Sequence, residues 1–359
     1  MIYKDFKDLR LSALGMGCMR LPLACEGEEN IDEAATAELV AYALDNGINY
    51  FDTAWRYHAG NSEKVMGRVL RNHPRESFYL ASKFPGFKKE FFENKEEIFE
   101  EQLQKCQVSY FDFYLCHNVS ERNIDKFLDP QYGVVEYLIE QKRKGRIRHL
   151  GFSTHGSRSV IKRFLDKYRD ELEFCQIQLN YLDWTLQNAK EKVALLNEYQ
   201  IPIWVMEPVR GGRLAVLPEN ATAKLKALNP ERTAPEWAFR YLQGIENVTM
   251  ILSGMSNRAQ LEENIRTFDT RQPLTEQEEA VLMEIADDMI RSNAVPCTGC
   301  SYCVEHCPQG IQIPELIKQY NEKETIASSA ACIGCKTCET FCPQGIGISE
   351  LMLKLTKSN

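Results

Sequence analysis

Between Leu11 and about Phe268, short apolar runs alternate with longer amphipathic segments eight times over. That alternation predicts βα units around a parallel sheet. Strands are predicted over Leu14–Met19, Ile48–Asp52, Phe78–Lys83, Phe111–His117, Ile147–Ser153, Phe174–Asn180, Ile203–Glu207 and Val248–Ser253. The helices that follow them are predicted over Asp32–Asn46, Ser62–Arg71, Lys95–Cys106, Val134–Lys144, Ser157–Tyr168, Asn188–Tyr199, Pro235–Gln243 and Asn257–Phe268. Punctuation agrees, with Gly47 and Gly145 just past helix ends and Ser62, Ser157 and Asn257 at N-cap positions. Eight such units in roughly 250 residues are what a (β/α)8 TIM barrel requires. An open doubly wound sheet is the competing arrangement, but no Gly-x-Gly-x-x-Gly follows the first strand.

Beyond Pro273 one more helix is predicted, Thr275–Ser292, with Leu282, Ile285, Met289 and Ile290 on its apolar face. At ~1.5 Å per residue it spans roughly 27 Å, enough to carry the chain back from the bottom of a barrel to its top. The domain plan is therefore a barrel over 1–272, a connecting helix over 273–292 and a small C-terminal domain over 293–359.

The chain has 359 residues and a formal net charge of -8, a balance that argues against nucleic acid, because phosphate backbones are gripped by clustered Lys and Arg. No run approaches the ~18 apolar residues of a membrane span, and the opening MIYKDFKDLR lacks the apolar core of a signal peptide. A cytoplasmic protein is expected. Thirteen cysteines in a chain of this size point to metal or catalysis rather than to a disulfide framework. Eight of them crowd between Cys297 and Cys342.

Those eight read Cys297, Cys300, Cys303, Cys307-Pro308 and then Cys332, Cys335, Cys338, Cys342-Pro343, the same spacing twice. Gln-Gly-Ile follows each proline, at Gln309 and again at Gln344. Zinc sites usually pair two Cys-x2-Cys knuckles, which this run does not. The segment from Val295 to Glu350 resembles the bacterial two-cluster ferredoxins, in which the fourth Cys of each run serves the other cluster. The resemblance implies a small α+β domain over 293–359 holding two 4Fe-4S clusters, one on Cys297, Cys300, Cys303 and Cys342 and the other on Cys332, Cys335, Cys338 and Cys307.

In the barrel, Asp52 ends the second strand, Tyr57 lies in the loop after it, Lys83 ends the third strand and His117 the fourth. Strand ends of this kind are where barrel chemistry is built. Together with FDTAWRYHAGNSEKVMG, LASKFP, FYLCHN and Lys144-Gly145-Arg146-Ile147-Arg148, they resemble the aldo/keto reductase family from about Leu14 to Asn264. The resemblance implies NAD(P)H-dependent reduction of a small carbonyl, or oxidation of an alcohol, with Tyr57 as general acid. Lys83 would favour its phenolate, Asp52 would hold Lys83 charged, and His117 would orient the carbonyl. It further implies nicotinamide contacts from Ser153, Thr154, Gln176, Met206 and Met19, and contacts from Glu263 and Asn264 toward the adenine end. Met206 stands where the family usually places a ring-stacking Tyr. Gly254 and Gln260 stand where basic residues often hold the 2'-phosphate of NADP, with Arg258 as the nearby substitute, so NADP and NAD both remain open.

Trp55, His58, Phe84 and Trp204 are candidates for a substrate pocket. Hydride carries two electrons whereas a cluster takes one, so clusters on the reaction path would need a splitter such as FMN, for which the sequence carries no fingerprint. Other readings are a redox sensor, a lid, or a docking arm for an electron-transfer protein.

Overall fold

The structure, a computed structural model, describes residues 1–292, 294–322 and 331–357. Asn293, where the C-terminal domain is expected to begin, and part of its spacer, 323–330, lie outside the described residues. The chain divides into two compact units, one of Met1–Pro208 with Pro235–Glu279 and one of Val209–Ala234 with Ala280–Asn359.

The first unit opens with a hairpin, β1 (Tyr3–Phe6) and β2 (Leu9–Ser12), which the hydrophobic pattern did not announce. The predicted strands then follow as β3 (Leu14–Gly17), β4 (Tyr50–Asp52), β5 (Tyr79–Phe84), β6 (Phe111–Cys116), β7 (Ile147–Thr154), β8 (Cys175–Gln178), β9 (Ile203–Met206) and β10 (Val248–Ser253). Each pairs in parallel with its neighbour, and β10 pairs back onto β3 to close the barrel. This is the (β/α)8 fold. The strands are buried on both faces, which is why they read as near-continuous apolar runs rather than as alternation. Inside the barrel, Phe6 and Leu11 of the hairpin join Tyr50, Phe113, Phe174, Trp204 and Met250 in one apolar cluster. Phe6 lies 5.0 Å from Trp204 in an edge-on ring contact.

Of the three caps expected, Asn257 accepts from the backbone of Gln260. Ser157 caps without that bond, its hydroxyl lying 2.8 Å from Ser159 instead. Ser62 is the first helical residue rather than the cap, and Asp32, unmarked by the pattern, caps the helix Glu33–Asp45. At Gly67 an added Cβ would stand 2.4 Å from the Lys105 carbonyl oxygen, so only glycine lets the helix Ser62–Leu70 lie this close to Lys95–Cys106.

The connecting helix forms over Glu276–Arg291, belongs to the second unit from Ala280 on, and buries Leu282, Ile285, Ala286 and Met289. Lys224 ties its outer face, donating to Glu284 at 2.7 Å and to Asp288 at 3.0 Å. Further helices span Ile313–Glu322, Thr337–Phe341 and Ile348–Lys357, and among the described residues no strand is assigned in this unit. The backbone repeats as the sequence does. Gly299 and Gly334, Ser301 and Lys336, and Gly310 and Gly345 all have positive φ, each pair 35 residues apart. Gly310 N–H donates to Cys307 O at 3.0 Å and Gly345 N–H to Cys342 O at 3.3 Å, giving both Cys-Pro-Gln-Gly segments the same turn. Ile313, Leu316, Ile317, Ile348, Met352 and Leu355 form the core against which the cysteine loops pack.

Candidate active site and cysteine centres

The register of the barrel brings the expected catalytic residues to consecutive strand ends. Asp52 pairs with Ala81, so Lys83 lies just beyond it on β5, and His117 follows β6 with its N–H donated to Phe84 O at 3.1 Å. Tyr57 is brought back by a turn in which its N–H donates to Ala54 O. All four side chains are buried. Lys83 Nζ donates to Asp52 Oδ1 at 2.6 Å, to Thr53 O at 2.8 Å and to the Tyr57 hydroxyl at 3.3 Å. The His117 ring meets that of Tyr57 edge-on, 6.2 Å between centroids at 86°.

The electrostatics differ from expectation at Tyr57. Burial, followed by the negative charge of Asp52, pushes its phenol well above the usual value, so the group is held as a proton donor rather than drawn toward phenolate. Burial likewise raises Asp52, opposed by Lys83. Burial and then Lys83, Arg56 and His155 push His117 well below the ordinary histidine range, so its imidazole is neutral.

Several neighbours escaped the sequence. Phe87 packs edge-on against His117 at 5.1 Å. Cys18 lies buried at the end of β3, its N–H donating to Asp52 O at 2.8 Å. Behind Lys83, the buried Glu63 carboxylate accepts from Ser82 at 2.5 Å and from Gln102 at 2.6 Å, and Gln102 also donates to Lys83 O at 3.0 Å. A glutamate on the second residue of a helix reads as a solvated first-turn charge, so nothing local marked Glu63.

Of the expected nicotinamide contacts, Gln176 is buried, and its Oε1 has no hydrogen-bond partner among the described residues. Ser153 Oγ accepts from Asn118 N–H at 2.9 Å. Thr154 is committed to its own loop, donating to Val119 O at 2.6 Å and accepting from Gly156 N–H at 2.9 Å. Met206 ends β9, and Met19 lies two residues past β3, both partly exposed. Buried Asn264 donates to Ser253 at 3.2 Å, and Glu263, its neighbour on the helix Arg258–Thr267, is partly exposed. Arg258 pairs with Glu262 at 2.7 Å and lies over the Tyr42 ring, and Gln260 accepts from Ser256 N–H, so both are engaged locally.

Two of the pocket candidates are core instead. Trp204 is fully buried within the barrel, and Phe84 packs against Phe92 and Phe127. His58 binds loops together, its Nε2 accepting from Leu21 N–H at 3.0 Å and its Nδ1 lying 2.6 Å from Glu28 O. Trp55 is partly exposed beside Phe91.

In the second unit the cysteines line two cavities. One is lined by Cys297, Cys300, Cys303 and Cys342, and the other by Cys307, Cys332, Cys335 and Cys338. Each cavity thus draws three cysteines from one run and the fourth from the other. The rings of His306 and Phe341, the residues before each fourth cysteine, stack at 3.4 Å. The donor sets, all thiols with apolar backing from residues such as Ile317 and Ile348, suit 4Fe-4S clusters.

Residues 13–287 match the family model of the aldo/keto reductases. The chain belongs to the aldo/keto reductase family. Residues 296–346 of this reductase match the model of a 4Fe-4S dicluster domain. The reductase is 26% identical over 302 residues to an uncharacterised oxidoreductase of Bacillus subtilis, covering 76% of this chain and 91% of that one. It is 25% identical over 327 residues to the NADH-specific methylglyoxal reductase of Escherichia coli, covering 79% and 97%. Its structure is similar to the holo form of an aldo-keto reductase from Bacillus halodurans, with a TM-score of 0.64 and 25% identity over 79% of this chain and 96% of that one. Among the described residues no helix is long and apolar enough to cross a membrane.

The cysteine centres carry their own expectation. Anaerobically isolated reductase should contain about eight iron and about eight acid-labile sulfides per chain. Iron and sulfide analysis checks it, and zinc, or only four iron in undamaged protein, contradicts the crossed ligand sets.

Proposed function

We propose that this reductase transfers hydride from NADH or NADPH to a small aldehyde or ketone, or runs the reverse oxidation of an alcohol, and that it carries two crossed-ligand 4Fe-4S clusters in its C-terminal domain. The observation that carries the reading is the buried chain Asp52 to Lys83 to Tyr57 with neutral His117 beside it. Four such side chains together are costly to bury without a task for them.

Bound NAD(P)H would supply the hydride. Gln176 fits it, since a buried acceptor without a partner suits an amide N–H, and Ser153 stands on the adjacent strand, paired with Gln176 in register. Thr154, whose hydroxyl is already satisfied on both sides, shapes the loop rather than holding the carboxamide.

The remaining chemistry belongs to the chain. As a carbonyl gains hydride at carbon, negative charge grows on its oxygen, and the Tyr57 hydroxyl delivers the proton there. Lys83, oriented by Asp52 and Thr53 O, stabilises the phenolate left behind. Neutral His117 donates a hydrogen bond to the same oxygen, which fixes the face on which the carbonyl lies. Because hydride moves as a pair and clusters accept single electrons, the clusters stand off this path, as sensor or docking element. The direct test uses reduced nicotinamide cofactor carrying two deuterium atoms at C4, under anaerobic conditions, with a small aldehyde. Deuterium is expected on the carbinol carbon of the product, and a product without label rejects direct hydride transfer.

A further inference from the structure

Arg210 takes no part in the chemistry above, yet it is among the largest fully buried side chains of the protein. It lies in the second unit, in a short turn, Arg210–Gly212. One guanidinium nitrogen donates to Pro296 O at 2.9 Å and the other to Gln344 Oε1 at 2.8 Å. Pro296 precedes Cys297, and Gln344 follows Cys342 by two residues. Cys297, Cys342 and Gln344 line the same cavity. The two cysteines come from opposite halves of the repeat, so this planar fork binds together the two loops whose meeting creates the site.

The adjoining residues press the same way. Gly211 has φ +63°, and an added Cβ would stand 1.9 Å from the carbonyl oxygen of Thr298, between Cys297 and Cys300. Arg213 donates to Val295 O at 3.1 Å. Among the described residues neither cavity has a charged side chain in its own lining. Arg210 reaches the first through Pro296 and Gln344, whereas beside the second the N–H of the lining residue Ser349 donates to the Glu339 carboxylate at 2.7 Å, a charge of the opposite sign.

We propose that Arg210 is the positioning residue of the cluster site formed by Cys297, Cys300, Cys303 and Cys342, joining its crossed ligand loops and setting that cluster's reduction potential apart from that of its twin. This rests on the 4Fe-4S reading given above. On reduction the cluster gains one electron and one negative charge, with no bond made or broken, and nearby charge and hydrogen bonds govern how readily it does so. Replacing Arg210 by Gln makes the surroundings one unit more negative whatever else the guanidinium touches. The reduced form then loses stabilisation, and the potential of this cluster falls while the other holds.

The test is an anaerobic dithionite titration of the full chain, followed by electron paramagnetic resonance, for the parent, Arg210→Gln and Arg210→Lys. Cys335→Ser, which alters a thiol of the second cavity, identifies which signal belongs to which cluster. Arg210→Gln should shift the reduction equilibrium of one cluster at least tenfold, about 59 mV for one electron. Arg210→Lys, which keeps the charge but not the fork, should restore most of that shift. An unchanged midpoint, or equal shifts in both clusters, overturns the proposal. If Arg210→Gln keeps only one cluster, Arg210→Lys decides, since a midpoint as low as that of an uncharged site would exclude the role of charge. Failure of the parent itself to show two 4Fe-4S signals and about eight iron rejects the cluster reading instead.

Discussion

Replacing Tyr57 by Phe is expected to lower the rate of carbonyl reduction by about 10²- to 10⁴-fold while leaving nicotinamide affinity nearly unchanged. The substitution removes only the hydroxyl. The ring that meets His117 edge-on and lies under the Lys83 ammonium stays in place. Because burial and Asp52 hold the phenol well above its ordinary value, the parent presents a protonated donor across the neutral range. Removing that donor leaves the developing alkoxide with hydrogen bonds but no nearby proton. Stopped-flow reduction of a small aldehyde reports the rate, and quenching of intrinsic fluorescence reports cofactor binding. A variant that retains most of its rate would place the proton donor elsewhere and dissolve the assigned roles of the four residues.

The second large effect concerns stability. Lys83→Met should destabilise the barrel by about 3–5 kcal/mol, because it strands the Asp52 carboxylate in a buried site. Asp52 is buried, and its only hydrogen-bonded side-chain oxygen, among the described residues, is the one facing Lys83. Removing both partners should cost much less than removing one, since a buried pair exchanged for neutral groups of similar volume is often nearly neutral. Urea unfolding followed by far-ultraviolet circular dichroism, on Lys83→Met beside Lys83→Met with Asp52→Asn, measures the difference. If the double variant is no more stable than the single one, the cost lies in lost packing of the lysine stem, not in the uncompensated charge.

The barrel was legible because each β strand from Leu14 onward is covered on both sides and so writes an unbroken apolar run. Tyr3–Phe6 and Leu9–Ser12 escaped for the opposite reason. YKDF and LRLS bury only part of their side chains and resemble polar loop in composition. The catalytic residues were legible as an ordered set at strand ends, whereas Glu63 and Gln102 were not. Their bond crosses 39 positions of sequence between two helices, and each alone looks like a surface residue. Trp204 illustrates the converse error. An aromatic at a strand reads equally well as pocket wall or core, and only the hairpin residue Phe6 packed against it decides for core. Arg210 and Gly211 look like loop filler until the turn they form is seen against the cysteine loops.

The hairpin also bears on the order in which the protein acquires its shape during synthesis. Phe6 leaves the ribosome before the barrel strands, but its bed of rings is completed only by Phe113, Phe174 and Trp204. At ~5–20 residues per second, roughly 10–40 s of elongation separate Phe6 from Trp204. Through that interval the early strands have neither their closing partner β10 nor the full interior against which to pack. Until β10 is made, the nascent barrel therefore carries exposed apolar strand edges, and its closing step couples ring closure to seating the hairpin. Such long-range docking is slow. A chaperone that shelters strand edges has more to offer this chain while it is being made than after it is complete.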